Sequence, residues 1–236
     1  MIDNAYNISL LTEDQAQEMG DSAPQCIALT QNCQDSGELG VSCLEAQDCW
    51  NATLYSPFLA TKRNVYDIRQ PCEVDVLCYN FSSMAAFLNS DPVYEYMGVS
   101  RKSVPSWAQT SLTVTQLFIE SGDWSMSFDS YVTELLDVSL RVLVYAGDVD
   151  LMCNWQGNQA WTKALECRGK EGFNGASEKA FVTHDPLVAN ASAVDAGVLR
   201  SFENFAFQRV FNAGHMVPMD QPAVSLEMIN KFFKSE

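Results

Sequence analysis

Apolar and polar residues keep two different rhythms along this chain, and the change falls near Leu140. Before it, from Thr12 to about Trp124, apolar residues come in small groups among polar ones, which predicts short helices joined by loops. TEDQAQEM from Thr12 has a Thr N-cap with acids in its first turn, and SSMAAFLNS from Ser82 is a short helix stopped by Asn89, Ser90, Asp91 and Pro92. Asp91 to Gly98 and Asp129 to Leu136 carry two more helical patterns. After Leu140, RVLVYAGD holds a β-rich run, Val142 to Ala146, entering a Gly-Asp turn, the signature of a buried parallel strand. Asn154 to Leu165 follows as an amphipathic helix with Trp155, Ala160, Trp161 and Leu165 available for packing. A second strand spans Ala206 to Phe211, and Gln221 to Phe233 closes the chain as a helix with Val224, Leu226, Ile229, Phe232 and Phe233 apolar. Strand, helix, strand, helix predicts an α/β fold.

The pattern divides the chain into residues 1–126 and 127–236, with no internal repeat. Two parallel strands are fewer than a doubly wound sheet uses, and an isolated pair would expose its edges and faces. The expectation is part of a larger fold.

Six of the eight cysteines stand between Cys26 and Cys78 in a stretch rich in Gln, Asp, Ser and Asn. Such a segment builds little core, so disulfides are its expected staples. The natural guess is nested: Cys26 with Cys49 around Cys33 with Cys43, then Cys72 with Cys78, although spacing alone leaves the other pairings open. No C-x-x-C pair occurs and the chain has only two His, so no metal site is expected. Four sequons, at Asn7, Asn51, Asn80 and Asn190, join the cysteines in pointing to the secretory pathway.

Charge narrows the partners. The chain has 236 residues with 14 Lys+Arg against 30 Asp+Glu, a formal charge of −16. Binding nucleic acid or anionic lipid needs the basic surface this balance lacks, so neither nucleic acid nor membrane is an expected partner. No stretch approaches the roughly 18 apolar residues of a spanning helix. An acidic chain carries less net charge in an acidic lumen, which suits a lysosome- or vacuole-like compartment; the extracellular space is the other expected location. The opening MIDNAYNISLL has an acid and no base before its apolar patch, the wrong polarity for a secretory signal. Met1 is therefore expected to be an internal methionine of a longer precursor.

In open α/β sheets ligands sit beyond the carboxyl ends of the strands. The first strand here ends in Gly147-Asp148-Val149-Asp150, and the second leads to Gly214-His215-Met216-Val217-Pro218. An acid after one strand and a His after the last is the order of the α/β-hydrolases, whose nucleophile comes earlier. VLVYAGDVDLMCNWQGNQAW and RVFNAGHMVPMDQP resemble the two closing motifs of the serine carboxypeptidases, an α/β-hydrolase peptidase family. Gly122-Asp123-Trp124, the run RNVYDIR before Cys72 and the cysteine spacing are also similar to that family.

The resemblance implies an incomplete α/β-hydrolase fold, its last parallel strands and helices in residues 127–236, behind a disulfide-rich, mainly helical cap in residues 1–126. It also implies a catalytic Asp150 and His215: the acid holds the imidazole, which takes the serine proton. Asp148 would be a turn residue or helper. The substrate pocket would take Tyr66, Tyr79, Trp124, Met152, Cys153 and Met216, with Cys153 a partly buried, unpaired thiol beside the His. Met152 replaces another apolar residue, Ser82 stands where the family is usually apolar, and Cys167 has no counterpart. No cofactor is implied. The implied reaction is release of C-terminal residues from peptides through an acyl-enzyme.

No G-x-S-x-G occurs anywhere; the surroundings of Ser22, Ser42, Ser100 and Ser177 each lack the second Gly. The resemblance covers only the family's second half, so the nucleophile and oxyanion donors are expected from an N-terminal half of the same enzyme, in one precursor or as a second chain. The chain alone is expected not to cleave peptides. An inactive secreted interaction module and acyl transfer on the same scaffold are the alternative expectations.

Overall fold

The structure, a computed structural model, describes residues 4–37, 40–73, 77–184 and 192–234. Two compact units are present: Met1–Ala16 with Pro57–Cys72 and Ser127–Glu236, and Gln17–Ser56 with Glu73–Met126.

The first unit holds every strand among the described residues. A short antiparallel hairpin, β1 (Arg63–Asn64) with β2 (Asp67–Pro71), precedes a mixed four-stranded sheet of β3 (Val142–Gly147), β4 (Lys179–Thr183), β5 (Val194–Phe202) and β6 (Phe205–Val210). The sheet order is β3-β6-β5-β4. β3 and β6 run parallel in unbroken register from Val142 against Phe205 to Gly147 against Val210, while β4 and β5 add antiparallel strands beyond β6. The sheet thus has two strands more than the hydrophobic pattern predicts. β4 buries only Phe181 and Thr183 and begins on an exposed Lys179, and β5 is interrupted by Gly197, so neither shows a clean alternation.

Alternation along β6 feeds two cores. Phe205 and Phe207 pack with Leu136, Leu165 and Phe173 beneath the helices Asp129–Asp137, Trp155–Ala164 and Lys170–Gly175. On the opposite face Val210 packs with Phe181, Ala196, Val224 and Met228 beneath the helix Pro222–Lys234. The side chain of Asn154 caps the helix Trp155–Ala164 by accepting from the Gly157 amide at 2.8 Å. Helices on both faces of the sheet make this an α/β layer structure.

In the second unit the expected short pieces are partly fused. A single 24-residue helix, Glu13–Ser36, whose first residues to Ala16 belong to the first unit, runs through Pro24. It starts on a reciprocal cap: Thr12 Oγ1 accepts from the Gln15 amide at 3.2 Å and Gln15 Oε1 accepts from the Thr12 amide at 3.0 Å. Two disulfides, Cys26 with Cys49 and Cys33 with Cys43, tie this helix to Val41–Cys49. They are the reason a helix with an internal proline holds its course, since Cys33, Cys43 and Ala46 form the small buried core with Leu29 and Met126 against it. Cys78 of this unit and Cys72 of the first are also disulfide-bonded. A π-helical turn at Trp50–Tyr55, the helices Ser82–Leu88, Asp91–Tyr96 and Leu112–Ser121 and a 3₁₀ turn at Asp123–Ser125 also belong to the unit. No helix among the described residues is long and apolar enough to cross a membrane.

Candidate active site

β3 and β6 lie side by side and end level with each other, so the loops that follow leave the sheet together. Asp148 to Cys153 follow β3 and Asn212 to Met216 follow β6. Two glycines let the loops close up. A Cβ on Gly147 would lie 2.2 Å from the Ala213 carbonyl oxygen, and one on Gly214 would lie 2.3 Å from that of Tyr66. No other residue fits that approach.

The β1–β2 hairpin clamps both loops through its backbone. The Val65 carbonyl accepts from the amides of Leu151 and Met152 at 3.1 and 3.0 Å, and the Tyr66 carbonyl accepts from His215 N at 2.8 Å. Val149 returns the contact by accepting from the Ile68 amide at 3.0 Å. Buried polar side chains stiffen the hairpin: Asp67, 1 % exposed, takes Arg69 Nε at 2.9 Å and Nη2 at 2.7 Å. Arg69 Nη1 reaches the Asn212 carbonyl at 3.1 Å, and Asp220 Oδ2 accepts from the Gly214 amide at 2.7 Å.

This scaffold brings His215 Nδ1 to 2.9 Å from Asp150 Oδ2. The second Asp150 oxygen accepts from the Cys153 amide at 3.1 Å, so the buried carboxylate is used on both sides. The Tyr66 ring lies tilted against the imidazole at 5.1 Å between centroids. The carboxylate of Asp150, chiefly, and then the Cys153 thiol push the His215 pKa from 6.5 up to about 10, against the opposing effect of burial. Asp150, Cys153 and His215 also place a carboxylate, a thiol and an imidazole within 4.8 Å of one another, donor types a divalent ion accepts. The 2.9 Å contact is that of a hydrogen-bonded acid and base.

Asp148 has a separate role. Tyr6 Oη donates to its carboxylate at 2.8 to 2.9 Å and accepts from the Asn212 amide at 3.0 Å, while Arg209 Nη2 stands 3.5 Å away. Burial raises the Asp148 pKa above its usual value and, with the Asp148 bond next in size, pushes Tyr6 to about 12. Asp148 therefore fastens the incoming chain to the strand ends, and a cavity of about 310 Å³ beside it is lined by both Asp148 and Asp150.

Of the residues singled out from sequence, Tyr66, Asp150, Cys153 and His215 meet at one place, and Met152 and Met216 are half-buried on the two loops beside it. Cys153 is exposed where the resemblance implies partial burial, because the described residues leave its outer side open. Tyr79 and Trp124 belong to the other compact unit; Tyr79 packs on Phe81 at 5.7 Å and Trp124 is 57 % exposed. Asn7 and Asn80 are exposed, Asn51 is half-buried in the π-helical turn, and Asn190 lies outside the described residues. Asp67, Arg69, Asp220 and Tyr6 were not legible as site residues. The one signal was the pairing of Asp67 with Arg69 two positions later in RNVYDIR.

A family model described as serine carboxypeptidase matches residues 1–235. Carboxypeptidase Y homolog A of Chaetomium globosum is 38% identical over 230 residues, which are 97% of this chain and 40% of that protein. Carboxypeptidase Y of Candida albicans is 37% identical over 229 residues, with the same coverage of 97% and 40%. The chain thus spans about 40% of the length of the curated relatives it matches. Among solved structures, a prohormone-processing carboxypeptidase from Saccharomyces cerevisiae superimposes with a TM-score of 0.75 at 19% identity, over 95% of this chain and 48% of that one, which shows a shared fold.

Proposed function

From the premise that this chain belongs to the serine carboxypeptidase family, we propose that it contributes the acid and base of a catalytic triad that releases C-terminal residues from peptides. The observation that carries this reading is the 2.9 Å contact between His215 Nδ1 and Asp150 Oδ2 on loops leaving adjacent parallel strands. Asp150 fixes the imidazole by accepting at Nδ1, which turns Nε2 toward the reacting serine, and it stabilises the imidazolium formed when His215 takes the serine proton. His215 then gives that proton to the leaving amine, and in the second half-reaction it deprotonates the water that hydrolyses the acyl-enzyme.

The serine and the oxyanion donors come from the part of the family fold that this chain does not match, in a longer precursor or as a second chain. Oxyanion donors of this kind supply about 3 to 4 kcal/mol each. That part also supplies cover. With a pKa of about 10 the imidazole holds its proton through neutral pH, and desolvation by a completed site lowers it toward the range a general base needs. Tyr66, Met152, Cys153 and Met216 line the peptide pocket on the side of the acid and base. The disulfides support a secretory-pathway location, vacuole-like or extracellular, for which Asn7, Asn51 and Asn80 are the proposed glycan acceptors.

The test is peptidase activity on an N-blocked dipeptide. The purified chain releases no terminal residue. Co-expressed with the portion of the Candida albicans relative that it does not cover, it does so, and turnover falls by about 10⁶-fold in His215→Ala and about 10⁴-fold in Asp150→Ala. Turnover by the chain alone that His215→Ala abolishes would overturn the divided triad, and a folded two-part assembly without turnover would overturn the assignment of the acid and base.

A further inference from the structure

The helix Pro222–Lys234 covers only part of its side of the sheet. Register places Gln208, Leu199 and Lys179 in one row across β6, β5 and β4, and Leu143, Ala206 and Ser201 in the next row across β3, β6 and β5. These rows and Phe232 of the helix wall a cavity of about 440 Å³, within the range of small-molecule sites. It lies at the beginnings of β3 and β6, whereas Asp150 and His215 follow their ends.

Gln208 is the unusual residue here. It sits on an inner strand and is 2 % exposed, yet its Nε2 has no hydrogen-bond partner among the described residues. A buried amide left in this state lowers stability, and an apolar residue would avoid the loss. The charges around the cavity run against the rest of the molecule: Arg141, Lys179 and Lys231 stand against Glu203, in a chain whose formal charge is −16. Arg141 is engaged with the Phe232 carbonyl, and Lys231 with Glu227 and the Phe181 ring. Lys179 has no ionic partner among the described residues. It stands two strands from Gln208, about 10 Å between backbones, a gap the two side chains span from either side.

We propose that this cavity is a binding site for a carboxylic acid with an apolar body, of the size of a medium-chain fatty acid. One carboxylate oxygen accepts from Gln208 Nε2, Lys179 balances the charge, and Leu143, Leu199 and Phe232 receive the hydrocarbon.

Sodium decanoate, titrated into the full chain below its micelle concentration and followed by calorimetry, tests this. Saturable one-to-one binding is expected, weakened at least tenfold by Gln208→Leu and several-fold by Lys179→Ala, with decan-1-ol at least tenfold weaker than decanoate. Gln208→Leu should also melt higher than the wild type without decanoate, because it removes the unpaired amide, so its lost affinity is separable from misfolding. Absence of saturable binding, or binding unchanged in both variants, overturns the site. A dimer seen by sedimentation that Gln208→Leu disrupts and decanoate does not dissociate would assign the face to a second copy and overturn it. Decanoate binding that disappears when the chain is assembled with the complementary portion of the Candida albicans relative would assign the face to polypeptide, with the same consequence.

Discussion

His215 draws its charge state from Asp150, and that charge is tied to stability. The folded pKa of about 10 stands above the ordinary 6.5, so the folded chain binds this proton more tightly than the unfolded chain. The resulting stabilisation is complete below about pH 6.5 and is lost as pH rises toward 10. His215→Gln should therefore lower the melting temperature more at pH 6 than at pH 10, and a nuclear magnetic resonance titration of the imidazole in Asp150→Asn should move its midpoint down. With the side chain 38% exposed, solvent screening keeps the effect modest. Gly214 makes a harder demand. Gly214→Ala sets a methyl 2.3 Å from the Tyr66 carbonyl, and since neither backbone can yield without moving His215, a loss on the order of 2 to 3 kcal/mol is expected in urea unfolding followed at the first unit.

At the level of elements, the hairpin β1–β2 has more effect on the site than its length suggests. Its cohesion comes from buried Asn64 and Asp67, each 1 % exposed, in place of an apolar stripe. Asp67→Ala strips Arg69 of its bidentate partner and should cost about 3 kcal/mol. Hydrogen exchange is the measurement that localises the damage: the amides of Leu151, Met152 and His215, all bonded to hairpin carbonyls, should exchange faster while those of β5 and β6 do not. The same physics explains what sequence could reveal. β3, β6, the helix Trp155–Ala164 and the helix Pro222–Lys234 were legible because each carries apolar residues at its own period between Gly, Asn or Pro stops. The hairpin and the antiparallel strands of the sheet were not, because polar contacts made only in the folded chain hold β1 and β2, while β4 and β5 break their alternation at Lys179 and Gly197. Asp150 and His215 stood out through their motifs; Asp220 and Tyr6 did not, because Asp220 acts through a turn that only the fold closes onto the Gly214 amide, and Tyr6 through Asp148, far away in the chain.

Across the whole molecule, large apolar residues remain in water: Leu112 at 86 %, Tyr96 at 89 %, Met97 at 67 %, Phe87 at 65 % and Leu117 at 60 % exposed. β3 stands at one edge of its sheet with Tyr145 41 % exposed. Surfaces of this kind belong to interfaces. Purified alone, the chain should enhance the fluorescence of an anilinonaphthalene sulfonate dye and self-associate as its concentration rises, and assembly with the complementary portion of a relative should suppress both. A dark dye and a concentration-independent sedimentation coefficient would count against a divided enzyme.

The parallel pairing of β3 with β6 has a consequence for how this architecture can change. Asp150 and His215 are far apart in the chain, yet their spacing depends on the strand register and on short loops, not on the long stretch between the strands. The loops within that stretch can therefore gain or lose residues without disturbing the acid and its base. Slipping the register by a single residue would separate them with every side chain intact. Change is thus cheap in length and costly in alignment, which tells an engineer where a peptide can be inserted and tells selection which hydrogen bonds to guard.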